Sequence, residues 1–145
     1  MQLITALKAG AVGAIALNVL HESVRQFVPT APRVDILGRR LIARGIRSTG
    51  HSVPNEDKLY LLAMAGDVVS NALYYSLVGT GSPHAALTRG LWLGVGAGIG
   101  AVTLPKYLGL PEEKVKGPAS TTLMTIGWYT LGGVVAGWAA RQLGK

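Results

Sequence analysis

Leu3–Val19, Leu59–Val78, Ala85–Leu104 and Ala119–Ala140 are apolar over nearly the length that a helix needs to cross a bilayer. At a rise of about 1.5 Å per residue, a hydrocarbon core of about 30 Å takes roughly 20 mostly apolar residues. Four such runs leave little else in a chain of 145 residues, so lipid is the expected solvent. Charged residues make up only 14% of the chain, against about 25% in soluble domains. The expected fold is all-α, an integral membrane four-helix bundle in one domain covering residues 1–145, with helices over about 2–27, 58–79, 85–104 and 118–141. The start resembles a secretory signal only superficially. Lys8 lies inside the first run and no convincing cleavage site precedes His21-Glu22, so a retained helix is expected. The absence of cysteine excludes a disulfide framework, a thiol nucleophile and thiolate metal sites.

The basic residues give the orientation. Arg25, Arg33, Arg39, Arg40, Arg44, Arg47 and Lys58 follow the first run, and Lys106, Lys114 and Lys116 follow the third. The opposite side keeps Lys8, Arg89, Arg141 and Lys145. Loops rich in lysine and arginine stay cytoplasmic, so both termini are expected on the non-cytoplasmic side. The net charge of +7 is mostly this signal, and with no basic patch interleaved with aromatics, no nucleic-acid partner is expected.

The first connection is longer than a loop requires. Pro29, Pro32 and Asp35 read as a break and then a helix start, and residues 33–48 as a short basic helix lying at the membrane interface. Arg33, Arg40, Arg44 and Arg47 fall within about 60° of arc at 100° per residue, facing anionic headgroups in this reading. A plain positive-inside loop fits the same residues.

Polar residues within the runs are the site candidates, because an ionisable group at the bilayer centre costs about 2.5–3.5 kcal/mol on insertion scales. Asp67 lies near the middle of the second run, and Ser70, Asn71 and Tyr74 follow it at i+3, i+4 and i+7. Asn18, His21, Glu22 and Arg25 repeat that spacing in the first run. Two antiparallel neighbours would bring these faces to similar depth. Three roles fit: hydrogen bonds that fix helix register, a water-accessible pathway or pocket for an ion or small solute, and a metal site of His21, Glu22 and Asp67. The paired Glu-x-x-His signature of di-metal bundles is absent, and His51 and His84 fall on opposite sides, so no metal or other cofactor is called for. Arg89 is the other charge in a crossing, placed either to snorkel outward or to reach Asp67.

Gly94, Gly96, Gly98 and Gly100 alternate along the third run, and Gly133 and Gly137 sit four apart in the fourth. Small residues at this spacing allow close helix packing, within the bundle or between copies. Pro118 with Ser120, Thr121 and Thr122 reads as a helix start and cap. No nucleophile–base pair or phosphate loop appears, so a non-enzymatic role is expected.

Ala31-Pro32-Arg33-Val34-Asp35 after a glycine-rich helix ending in His21-Glu22, with Leu108-Gly109-Leu110-Pro111 before the last run, resembles uncharacterised small multi-pass proteins of bacterial inner membranes. That resemblance implies a four-helix inner-membrane protein and carries no catalytic residue with it. Each half also reads loosely as a glycine-rich helix, a proline-containing basic connection and a tyrosine-bearing helix, a suggestion of duplication. The expected role is a small channel or transport component, oligomeric because four short crossings barely enclose a polar lumen. The alternatives are a structural or accessory subunit docked on a partner membrane protein, and a membrane-embedded metal-binding protein.

Overall fold

Five α-helices, four of them long and apolar, make up the frame of the computed structural model, which describes residues 2–144. They are α1 (Leu3–Val24), α2 (Val34–Ser48), α3 (Glu56–Tyr75), α4 (Ala86–Tyr107) and α5 (Ala119–Leu143). No strand occurs among the described residues. The helical stretches Leu3–Val24, Glu56–Gly79, Pro83–Tyr107 and Ala119–Leu143 are each long and apolar enough to cross a membrane.

Local chemistry explains where the helices differ from expectation. The first stops at Val24 and not near residue 27, with a turn over Phe27 and Val28 ahead of Pro29. The second starts two residues early because the Asn55 side chain accepts from the Lys58 amide. It tightens into a 3₁₀ turn over Ser76–Gly79, so the α-helix ends at Tyr75. α4 runs through Pro105, whose missing N–H falls in the last turn, and closes at Gly109. With φ at +63°, Gly109 lets its own amide reach Lys106 and that of Leu110 reach Pro105. Pro118 does precede α5, but no hydroxyl caps it. The Thr121 hydroxyl donates instead to Thr30 at 2.7 Å, and that of Thr125 to Val115 and Thr121.

The helices pack in the order α3, α1, α5, α4, with α4 and α5 in the most extensive contact. α3 and α4 meet little, and the 3₁₀ turn after α3 fills the space between them at that end. A Cβ on Gly94 would stand 2.6 Å from the Thr130 Cα, and one on Gly98 2.7 Å from the Ile126 Cα. Gly133 and Gly137 face Gly90 and Ala86 just as closely. Gly94, Gly98, Gly133 and Gly137 therefore serve the contact inside the chain, whereas Gly96 and Gly100 meet only side-chain ends.

α2 is docked under the bundle. Leu37 packs with Leu110 and Val115 of the α4–α5 connection, and the Arg33 amide donates to the Lys114 carbonyl at 2.7 Å. The bare Gly38 lets α2 approach Ala63 of α3. Leu17, Tyr75, Val78 and Ala136 are fully buried at the centre, while Leu3, Ile4, Leu61, Leu123 and Trp92 are exposed.

Candidate functional site

Antiparallel packing of α1 on α3 brings the two polar faces together. The Asn18 side-chain amide donates to Asp67 Oδ2 at 2.9 Å, and that of Asn71 donates to Oδ1 at 3.0 Å. Asn18 also donates to the Ala14 carbonyl, so its NH₂ group is fully engaged. Each Asp67 oxygen accepts one protein donor and keeps a lone pair for another. The Ser70 hydroxyl turns back to the Asp67 carbonyl.

One or two turns along, Glu22, Arg25 and Tyr60 form a second group. The Tyr60 hydroxyl donates to Glu22 at 2.9 Å and accepts from Arg25 at 3.0 Å, and Arg25 pairs with Glu22 at 2.7 Å. Arg25 extends to Asp35 of α2 at 3.5 Å, where Arg33 and Arg39 also converge at 2.9 and 3.0 Å. Arg39 continues to Glu56 at 3.0 Å, which ties α2 to the start of α3. The Asp35 side chain is only 5% exposed. Burial acts to raise its pKa, but the hydrogen bonds from Arg33 and the charges of Arg33, Arg25 and Arg39 outweigh it and hold the carboxyl below its ordinary range.

Between α1, α2 and α3 lies a cavity of about 290 Å³. Asn18, His21, Glu22, Asp35, Asp67 and Ser70 line its polar side, and Leu37, Leu41, Ile42 and Met64 are among its apolar walls. His21 is 6% exposed, its ring 4.8 Å from that of Trp128 and 5.8 Å from that of Tyr129. Its Nε2 is buried without a hydrogen-bond partner. An orphaned buried polar atom of this kind costs about 1–3 kcal/mol.

Other residues of the polar list lie elsewhere. Tyr74 donates to the Leu93 carbonyl at 3.1 Å, bridging α3 to α4. Arg89 does not pair with Asp67: its guanidinium caps the 3₁₀ turn, donating to Val78 at 2.7 and 3.1 Å and to Ser82 at 2.8 Å. The arginine stripe is divided as well. Arg33 is held by Asp35, and Arg44 donates to the Leu108 and Gly109 carbonyls, leaving Arg40 and Arg47 unpaired among the described residues. No three histidine or acidic side chains among the described residues group closely enough to hold a metal ion, which leaves the His21, Glu22 and Asp67 metal site without a geometry.

Asp35 as the hub of the network and Trp128 as the neighbour of His21 were not singled out from the sequence as site residues. Asp35 and Arg39 do carry a signal, the i, i+4 opposite-charge pair. Nothing local signals the approach of Trp128 to His21, which lies 107 positions away. Comparison of the chain with family models, curated proteins and solved structures finds no significant match.

Proposed function

We propose that this chain is a four-crossing integral membrane protein whose cavity between α1, α2 and α3 binds a small solute as part of a transport function. Support for the membrane begins with what is exposed. Large aliphatic side chains cover the outward faces of the four long helices, while glycine, alanine and polar groups face inward. Soluble monomers seldom expose so much contiguous apolar surface. The resemblance noted in the sequence implies a bacterial inner membrane, and the basic connections favour α2 and the cavity on its cytoplasmic side.

The observation that carries the solute reading is the joint presence of Asp67 and His21 on the wall of one cavity whose remaining surface is largely apolar. Asp67 retains acceptor capacity on that wall. A cavity of 290 Å³ sits just under the usual ligand-pocket range of about 300–1,000 Å³. The fitting ligand is small, with an apolar body and a cationic or donor-bearing end. Leu17, Tyr75 and Val78 are packed solid farther along the bundle, so passage requires helix movement or a second copy.

Flux into proteoliposomes above that into protein-free liposomes, with protons, potassium and tetraethylammonium as separate probes, tests this. The native chain is expected to carry at least one of them, and Asp67→Asn to slow that flux at least tenfold. No flux in either chain would overturn transport. The amide locks on Asp67 and the Tyr75 hydroxyl's bond to the Tyr129 carbonyl at 2.7 Å favour a second reading, a structural subunit with polar groups fixing register. Copurification of a different membrane chain, together with silent flux assays, would select it.

A further inference from the structure

A groove of about 560 Å³ lies along α2 beside the start of α3, apart from the cavity that holds Asp67. Arg39, Arg40, Arg44 and Arg47 line it, and Glu56 is the one carboxylate among its walls. Arg39 is paired with Asp35 and Glu56. Arg44 donates to two backbone carbonyls, which orient the guanidinium without neutralising it. Arg40 and Arg47 are exposed and have no partner among the described residues. The groove therefore keeps three uncompensated guanidinium groups over a floor that includes the buried Ala43 and Leu59. Guanidinium forks match the oxygens of a phosphate, and several converging on one concavity make an anion site.

The surroundings indicate where the phosphate comes from. Leu62, Val69 and Leu73 of α3 are exposed at 47%, 58% and 57%. At 100° per residue they fall within about 40° of one another and beside Leu59, so an apolar track descends from the groove along α3. Cationic rim above, aliphatic track below: that is the profile of a phospholipid. We propose that this groove holds the phosphate of an anionic phospholipid, with Arg40 and Arg47 as its main ligands, Arg44 alongside, and the acyl chains against α3. This rests on the membrane reading but not on solute binding at Asp67, and the two fail separately.

Native mass spectrometry of the full chain in nonionic detergent, titrated with dioleoylphosphatidylglycerol or dioleoylphosphatidylcholine, provides the test. The native chain should retain the anionic lipid at least tenfold better than the Arg40→Gln/Arg47→Gln double variant, with each single variant about threefold weaker. Neither arginine has a hydrogen bond or ion pair to lose among the described residues, and the helical circular dichroism of each variant checks that it is folded. Lys114→Gln/Lys116→Gln removes two cations outside the groove and should bind like the native chain. Equal retention by the native chain and the arginine double variant overturns the site, as does an equal loss in the lysine control. Displacement of the lipid by inorganic phosphate at equal concentration would assign the groove to a soluble phosphate and overturn the lipid.

Discussion

Removing the Asp35 carboxylate would leave Arg25, Arg33 and Arg39 facing one another around an emptied centre. Hydrogen bonds to charged groups contribute about 1.5–3 kcal/mol, so Asp35→Asn should loosen the docking of α2 by about 2 kcal/mol. The pH dependence has a definite sign. A carboxyl whose folded pKa is lowered stabilises the fold above its unfolded value of about 3.9 and loses that contribution as the pH falls through the lower folded value. Hydrogen-exchange protection of α2, corrected for intrinsic rates, should stay level from neutral pH down to about 4 and drop below it. Glu22 and Glu56 belong to the same network, so the comparison with Asp35→Asn isolates the effect. That variant should start lower and lose less on acidification, and equal acid responses would remove Asp35 from the role. At this scale the two polar faces and their similar depth were legible from the sequence, because polar residues at i, i+3, i+4 and i+7 stand out on apolar helices, whereas the particular Asn18–Asp67 bond was not. Arg89 was not, because its partners are backbone carbonyls of a 3₁₀ turn that leaves no side-chain pattern.

Between elements, the glycines decide how closely the helices approach. A Cβ on Gly133 would overlap the Gly90 carbonyl and lie 2.8 Å from the Gly94 amide nitrogen, so α4 and α5 would have to separate. Overpacking of this kind costs about 1–3 kcal/mol. Gly127, on the same helix, has nothing within 4 Å of its Cβ position. Gly133→Ala should therefore lower the thermal midpoint in detergent, whereas Gly127→Ala should leave it level or raise it by up to about 1 kcal/mol of stability. Equal midpoints for the two variants would show that the α4–α5 contact is looser than described. The long apolar helices, with ends good to a few residues, were legible because length and composition alone mark them. The alternation from Gly94 to Gly100 marked packing without saying which pair faces α5, since the two pairs differ only in which neighbour arrives. The docking of α2 was hidden for a related reason. Leu37 meets Leu110 and Val115, and Arg44 meets the end of α4, across more than sixty residues of chain. A charged face that binds protein carbonyls has the same local pattern as one that faces headgroups.

In the proposed four-crossing topology, the basic connections give the sidedness and exposed aromatic side chains fall at both ends of the bundle. Phe27 and Tyr107 are exposed at the end of the bundle that carries the basic connections, and Trp92 and Trp138 are exposed toward the opposite end. Aromatic rings gather at both membrane interfaces, so the two pairs mark two boundaries with the apolar surface between them. That topology puts α2 at the cytoplasmic boundary, with the Asp67 cavity beneath it and the arginine groove at headgroup depth. Because the chain has no cysteine, single introduced thiols report position without background. Ser52→Cys in the α2–α3 connection and Lys116→Cys in the α4–α5 connection should react with a membrane-impermeant maleimide only after sealed right-side-out vesicles are opened. Thr80→Cys, in the bend between α3 and α4, should react before opening. If Ser52→Cys and Thr80→Cys reacted from the same side, α3 would not cross the bilayer. Asp67 would then lie in a protein–water setting, and both the solute cavity and the lipid groove would lose the environment that gives them meaning.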